Sequence, residues 1–385
     1  MHRKRGRMAK RKSNALRWVI GIVIIAIIII GAVLIFTPKE TGVIKIGFIA
    51  PLSGDTAVYG TASRGGAEIA IEEINNAGGI NGKKLEVIYE DGKCNGKDSA
   101  TAANKLISID NVFVIFGTVC SAETLAIAPI AESNKIILLS AASSAPSITE
   151  AGDYIFRTWP SDSLQGKEMA EYVYGKGIKK VAIINMNSDY PVGLANVFKE
   201  TFVQLGGEVL ISEIYEPTAK DFRTQLTKIK AKNPEAIYII PYTAEAGILV
   251  KQIKELGIKA ELYGPETFHS QEVINTAGNA SEGIVYMMPK FDETEQLTKE
   301  LLDKYKTKYG KDSPFAVVTA NTYDGVYIIA EGLKKGVSSD AVKGYLYTLK
   351  DYPGTAGVLT IDQNGDALKD FQFMIIKEGK LQEFS

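Results

Sequence analysis

The chain has 385 residues, 23% charged and 45% hydrophobic, which is enough for two ordinary globular domains and unlike a disordered or fibrous protein. Its formal charge of −1 conceals a split: Met1–Arg17 carries eight Lys or Arg and no acid, which leaves about −9 on the remainder and excludes a nucleic-acid-binding body. With only His2 and His269 present, histidine triads and multi-histidine metal sites are excluded too.

After the basic tail, Trp18–Phe36 runs 19 residues without a charge, dominated by Ile and Val. At about 1.5 Å per helical residue this nearly spans a hydrocarbon core. The flank Leu34–Pro38 offers neither small residues for signal peptidase nor a lipoprotein Cys, so an uncleaved transmembrane helix is expected. The positive-inside rule then keeps residues 1–17 in the cytoplasm and places everything from Pro38 outside, with residues 37–42 as a tether.

Val43–Ala50 is an apolar run read as a first strand and broken by Pro51-Leu52-Ser53-Gly54. A helix from about Tyr59 to Ala77 stops at Gly78-Gly79, Lys84–Tyr89 is a strand, and Ser99–Ser108 is a helix. Val112–Phe116 is a buried strand bounded by Gly117, and Ser121 stands at the N-cap position of a helix running from Ala122 to about Ser133. Ile136–Leu139 is another short strand, ending in the hydroxyl-rich cluster Ser140–Ser144 that Pro146 closes. Such alternation predicts a parallel sheet with crossover helices, and two strands here deliver polar loops from their carboxyl ends. With a helix N-terminus beside them, a small carboxylate or phosphate is the expected guest.

The pattern restarts after Ile155–Thr158. Helices at Leu164–Gly175, Val192–Leu205, Asp221–Ala231 and Ala244–Leu256 alternate with strands at Val181–Ile184, Val209–Tyr215, Ala236–Ile240 and Glu261–Gly264, which completes a second doubly wound sheet before Ile284. Three further helices, Glu293–Tyr309, Ala316–Lys335 and Ser339–Lys350, lack strands of their own and are expected to pack back onto the first lobe. The tail segments Gly357–Asp362, Phe371–Lys377 and Leu381–Phe384, separated by turns, read as β ribbon. A chain that leaves one lobe, builds another and returns makes a two-lobed hinge protein.

No GxGxxG, Walker A or GxSxG pattern is present, so dinucleotide, nucleotide and hydrolase readings lack their usual signatures. Asp362–Asp366, DQNGD, lacks the twelve-residue spacing of a calcium loop and reads as a hairpin turn, and Asn279-Ala280-Ser281 is a single sequon. Cys94 and Cys120 each follow a strand on the exported side, where they form either a disulfide or two free buried thiols.

The segments IKIGFIAPLSGDTAVYG, INNAGGINGKKLEVIYEDGKC, GTVCSA, SAASSAP, FRTWPSD, YGPETF and DFQF stand in one order from Val43 to the end. In that order they resemble the extracytoplasmic binding proteins of branched-chain amino-acid ABC transporters, the leucine, isoleucine and valine binding group. The resemblance implies an α/β protein of two doubly wound lobes joined by three hinge crossovers: residues 43–157 with 290–355 as one lobe, 158–289 with 356–385 as the other. It implies that Ser121 and Ala142 offer main-chain groups, and Ser144 its hydroxyl, to a ligand α-carboxylate. Glu266 would take the α-ammonium, with Tyr242 beside it, while Tyr59, Tyr190 and Phe315 line or close over the side-chain pocket. Cys94 and Cys120 sit where the family places its disulfide. Ser144 stands where the family often has Thr, and a membrane-spanning N-terminus in place of a cleaved signal is a second departure.

The expected protein is therefore a non-enzymatic, monomeric receptor without cofactor, metal or nucleic-acid partner. It is anchored in the cell membrane by one helix, binds a free amino acid outside the cell and passes it to ABC permease subunits. The rival readings are a binding protein for another small solute, such as an amide, urea or aromatic acid, and a ligand-sensing ectodomain.

Overall fold

The computed structural model of the protein describes residues 42–384. The basic tail and the expected transmembrane helix Trp18–Phe36 lie outside the described residues, among which no helix is long and apolar enough to cross a membrane.

Five strands form the first sheet: β1 (Val43–Ala50), β2 (Lys84–Asp91), β3 (Val114–Phe116), β4 (Ile137–Ser140) and β5 (Ile155–Arg157), in the order β2-β1-β3-β4-β5. All pair in parallel, linked by α1 (Ala57–Asn76), α2 (Gly96–Ser108) and α3 (Ser121–Asn134). The second sheet repeats the scheme. Its parallel strands β6 (Lys180–Met186), β7 (Glu208–Tyr215), β8 (Ala236–Ile240), β9 (Glu261–Gly264) and β10 (Val285–Pro289) lie in the order β7-β6-β8-β9-β10. They are crossed by α4 (Asp162–Gly175), α5 (Asp189–Gln204), α6 (Arg223–Lys232), α7 (Thr243–Glu255) and the short α8 (Gln271–Ala277).

Side-chain pattern explains which strand sits where. A central parallel strand is covered on both faces and reads as an apolar run, as β3 and β8 do and as β4 does up to its last residue, Ser140, every residue being buried. The edge strand β7, EVLISEIY, is only partly buried instead, with Glu208 exposed and Glu213 paired with Lys228 at 2.9 Å. Gly117 ends β3 at φ +94°, and a Cβ there would meet the Phe48 ring at 2.3 Å, so only glycine makes this turn.

The remaining helices are α9 (Gln296–Tyr309), α10 (Ala316–Lys335) and α11 (Ser339–Leu346). α10 lies against α1 so closely that a Cβ on Gly66 would sit 2.2 Å from the Thr319 carbonyl, and Thr322 Oγ1 donates to Ser63 Oγ across the contact at 2.9 Å. Ser339 Oγ donates to the Phe113 carbonyl beside β3, so this helical block packs onto the first sheet, as its lack of strands implied.

Two segments run differently from the sequence reading. The second sheet is not complete before Ile284, because β10 follows it and adds the fifth parallel strand. Nor is the tail one ribbon. β11 (Tyr352–Gly354), β12 (Gly357–Ile361) and β13 (Ala367–Leu368) make a small antiparallel sheet, whereas β14 (Phe371–Lys377) pairs antiparallel with β10 and carries β15 (Lys380–Glu383) at the outer edge. β10 and β14 are short apolar runs whose partners lie far off in sequence, a pairing that local periodicity does not encode.

The DQNGD turn between β12 and β13 has a structural task. Its Asp366 accepts from Arg157 Nε at 2.7 Å and from the Thr149 hydroxyl at 2.7 Å, and the Arg157 main-chain N–H donates to the Gly365 carbonyl at 3.0 Å. Arg157, fully buried at the end of β5, also donates to the Ala145 carbonyl at 3.0 Å and Thr149 Oγ1 at 2.8 Å, so each guanidinium nitrogen has a partner and the buried cation is paired. The turn is thereby locked to the loop that carries Ser144. Among the described residues no cluster of His, Cys, Asp or Glu could hold a metal ion.

Candidate functional site

Each sheet changes direction between its first and third strands, and ligands settle beyond the carboxyl ends at such a point. A pocket lies there, between the two sheets, with about 350 Å³ of empty space that includes its opening to solvent. From the first sheet come Tyr59 on α1 after β1, Val119 and Ser121 after β3, Ala142 and Ser144 after β4, and Trp159 after β5. From the second come Tyr190 after β6, Tyr242 after β8, and Glu266 with Thr267 after β9, while Phe315 and Val318 at the start of α10 close one side. All eight residues singled out in the sequence as ligand contacts line this one cavity. Val119, Trp159, Thr267 and Val318 line it too and were not singled out. Trp159 had a visible signal, being one of only two tryptophans and lying within FRTWPSD.

The wall nearest α3 is built from hydroxyls and main chain. Ser121 is not the N-cap, because helix geometry begins with it and Cys120 occupies the cap position. Its hydroxyl instead accepts the Ser144 N–H at 3.3 Å and the Ala145 N–H at 3.1 Å, which pins the Ser140–Pro146 loop against the helix start. Behind it, Ser140 Oγ donates to the Thr118 carbonyl at 2.7 Å, and Thr124 and Ser143 share a hydrogen bond of 2.7 Å. Glu123 fixes the turn: its carboxylate accepts the N–H groups of Val119, Cys120 and Cys94. Burial pushes the Glu123 carboxyl up to about 7 against those three donors. The disulfide Cys94–Cys120, with its Cα atoms 5.3 Å apart, ties the turn after β2 to the same corner, so the alternative of two free thiols is closed.

The opposite wall is acidic and aromatic. Glu266, 7% exposed, accepts Gln165 Nε2 at 2.8 Å on one oxygen and the Tyr190 hydroxyl at 3.0 Å on the other. Burial raises its carboxyl above the ordinary range, and the two donors pull the other way. No lysine or arginine among the described residues pairs with it. Tyr190 therefore does more than line the pocket, since its phenol holds the acid in place. Tyr242 lies 5.6 Å from the Tyr190 ring and 5.9 Å from Tyr59, and Phe315 continues the row at 5.2 Å from Tyr59. The Tyr59 hydroxyl accepts the Thr243 N–H and shares a 2.5 Å bond with Thr243 Oγ1, a contact from the first sheet's α1 to the second sheet's α7.

Three buried polar atoms of the lining, Trp159 Nε1, the Tyr242 hydroxyl and Thr267 Oγ1, have no hydrogen-bond partner among the described residues. Buried polar groups are normally paired, so a cavity that collects three unpaired ones beside an uncompensated acid is built for a small polar, cationic guest.

A periplasmic binding protein family model matches residues 43–380. The leucine-, isoleucine-, valine-, threonine- and alanine-binding protein of Pseudomonas aeruginosa is 32% identical over 335 residues, 86% of this chain and 89% of the relative. Among solved structures, a leucine binding protein from Thermotoga maritima superposes with a TM-score of 0.82 at 30% identity, covering 89% of this chain and 98% of its own. A branched-chain amino acid transporter substrate binding protein from Streptococcus pneumoniae, solved with isoleucine, does so with a TM-score of 0.79 at 33% identity over 88% and 97%.

Proposed function

This chain belongs to the periplasmic binding protein family, a family of solute receptors and not of enzymes, and from that premise we propose that it is the extracytoplasmic receptor of an ABC transporter and captures a free branched-chain or other apolar amino acid. The observation that carries the reading is Glu266: a buried carboxylate, held from both sides by neutral donors and facing the cavity, is completed by an α-ammonium group. The hydroxyl and main-chain wall of Ser121, Ala142 and Ser144 stands opposite as the partner of the α-carboxylate, and Tyr59, Tyr242, Phe315, Val119 and Val318 offer apolar surface to the side chain.

The two sheets with their helices form the lobes. The first two crossovers fall at Arg157–Thr158 and Pro289–Lys290, where β5 and β10 end. We place the third at Lys369–Asp370, between β13 and β14, in place of the 355/356 boundary expected from the sequence, because β12 and β13 pair with β11 while β14 joins the second sheet. The Tyr59–Thr243 contact and the Lys220–Asp55 ion pair, with Lys220 also held by Glu245 of its own lobe, cross the cleft mouth and belong to the closed state. In thermal unfolding of the full-length protein against the twenty amino acids, leucine, isoleucine or valine is expected to raise the melting temperature. A ligand at 100 times its Kd adds about 2.7 kcal/mol. A shift from none of the twenty would reject the reading.

The uncharged segment Trp18–Phe36 supports a permanent anchor, with the receptor held at the outer membrane face beside its permease. Fractionation of host cells is expected to leave the protein in the membrane pellet with its basic tail intact, and a soluble form beginning near Val43 would show the segment to be a cleaved signal.

A further inference from the structure

α7 begins at Thr243 without a cap of its own. Its cap position is held by Tyr242, whose side chain makes no capping hydrogen bond, so the first N–H groups of the helix need acceptors from elsewhere. The Thr243 N–H finds one in the other lobe, where the Tyr59 hydroxyl on α1, 184 residues away in sequence, accepts it at 3.2 Å. Tyr59 and Thr243 Oγ1 also share a bond of 2.5 Å, and Thr243 Oγ1 donates to the Thr267 carbonyl at 3.1 Å. One placement of the protons satisfies all three contacts: Thr243 gives its hydrogen to Thr267, so Tyr59 donates to Thr243 Oγ1 and receives the Thr243 N–H on a lone pair. A chain of hydrogen bonds thus leads from the first lobe to the residue that follows Glu266.

The lobes meet a second time at the rim. Asp55, just before α1, and Lys220, just before α6, pair at 2.8 Å, and both side chains are exposed. Lys220 is set in place by its own lobe, because the buried Glu245 in the first turn of α7 accepts its ammonium at 3.1 Å and Gln252 Nε2 donates to its carbonyl at 3.0 Å. An ion pair with one partner already positioned loses less side-chain freedom when it forms.

We propose that Tyr59 and Lys220 are positioning residues that latch the closed cleft, Tyr59 by capping α7 from the opposite lobe, and that they set how fast a captured ligand leaves, not how fast it arrives. The inference rests on the reading of the cleft as an amino-acid site.

The difference between the two rates follows from the geometry. Both contacts join residues of different lobes, so an open cleft that first meets its ligand has neither, whereas both must break before the lobes part. The Tyr59 ring lines the pocket while its hydroxyl is engaged by Thr243, so removing that oxygen leaves the ring beside the ligand and the α7 N–H without its acceptor. In an open cleft water reaches that N–H, and the penalty falls on the closed state alone. The inner contact is buried and neutral, the outer one exposed and ionic, so salt weakens only the outer.

The test is stopped-flow fluorescence of the full-length protein with L-leucine, L-isoleucine and L-valine, reading capture and release separately through Trp159 in the pocket wall. Tyr59→Phe and Thr243→Val are each expected to speed release about fivefold to a hundredfold, as a buried group loses its partner, with the larger part of the affinity loss in that rate. The double variant should release more slowly than the product of the single effects requires, because both substitutions remove one shared contact. Thr243→Ser keeps the oxygen and should restore the parent rate. Asp55→Asn should speed release about two- to fivefold at low salt and leave it unchanged at high salt, where the parent has lost the same contribution. A Tyr59→Phe variant that releases at the parent rate would overturn the proposal, as would fully multiplied single effects or a change confined to capture. If the parent binds none of the three amino acids, the reading of the cleft fails and this inference falls with it; a parent that binds them beside variants with unchanged release sinks the inference alone.

Discussion

Replacing Glu266 by Gln is expected to weaken amino-acid binding roughly thirty-fold to several thousand-fold, equivalent to about 2–5 kcal/mol. The substitution keeps the shape and removes the charge of a group that is 7% exposed; the amide oxygen still accepts from Gln165, while the amide NH2 donates to the Tyr190 oxygen where the carboxylate accepted from its hydroxyl. A ligand ammonium brought into this wall then has no anion to meet and has left its water behind. Ser144→Ala should cost less, about 1–3 kcal/mol, because the carboxylate that loses one hydroxyl donor retains main-chain donors. Calorimetry with the tightest amino acid measures both. A Glu266→Gln variant that binds as tightly as the parent would reject the ammonium partner and point to a solute without one.

Removing the disulfide is expected to lower stability by about 3 kcal/mol. Cys94 and Cys120 stand 26 residues apart, and closing a loop of that length restricts the unfolded chain by roughly this amount in the chain-entropy account. The bridge also holds the β2 turn to the start of α3, where Glu123 gathers three N–H groups and Ser121 anchors the Ser144 loop. A Cys94→Ala/Cys120→Ala double variant should therefore unfold at lower denaturant and bind more weakly. Denaturant unfolding of the parent with and without reductant provides the second arm. Coincident curves for parent and double variant would show that packing alone holds this corner.

How far the site was legible in the chain can be read residue by residue. The polar loops at Ser121 and Ser140–Ser144 announced themselves because each follows a short apolar run, and the end of a strand in a parallel sheet is where a cleft opens; the ligand roles of Ser121, Ala142, Ser144 and Glu266 came from the family resemblance. Tyr59, Tyr190, Tyr242 and Phe315 came from the family resemblance, since a lone aromatic carries no local sign of whether it faces core or cleft. Thr243 was invisible for a different reason: a threonine at a helix start is ordinarily a local cap, and only the approach of the other lobe brings its N–H to the Tyr59 oxygen.

By itself the sequence determined the alternation of strands and helices, the apolar centre of each sheet and the turn at Gly117, because all three depend on residues within a few positions of one another. It also marked the uncharged segment Trp18–Phe36, for which hydropathy is the whole signal. Tertiary structure alone decided the rest. Arg157 meets Asp366 across 209 residues, β14 finds β10, Ser121 gives its hydroxyl to the neighbouring loop instead of its own helix, and Thr243 meets Tyr59 of the other lobe. Each of these is a pairing of polar groups or sheet edges whose partner is chosen by what remains unsatisfied after the lobes assemble, and no local pattern carries that information.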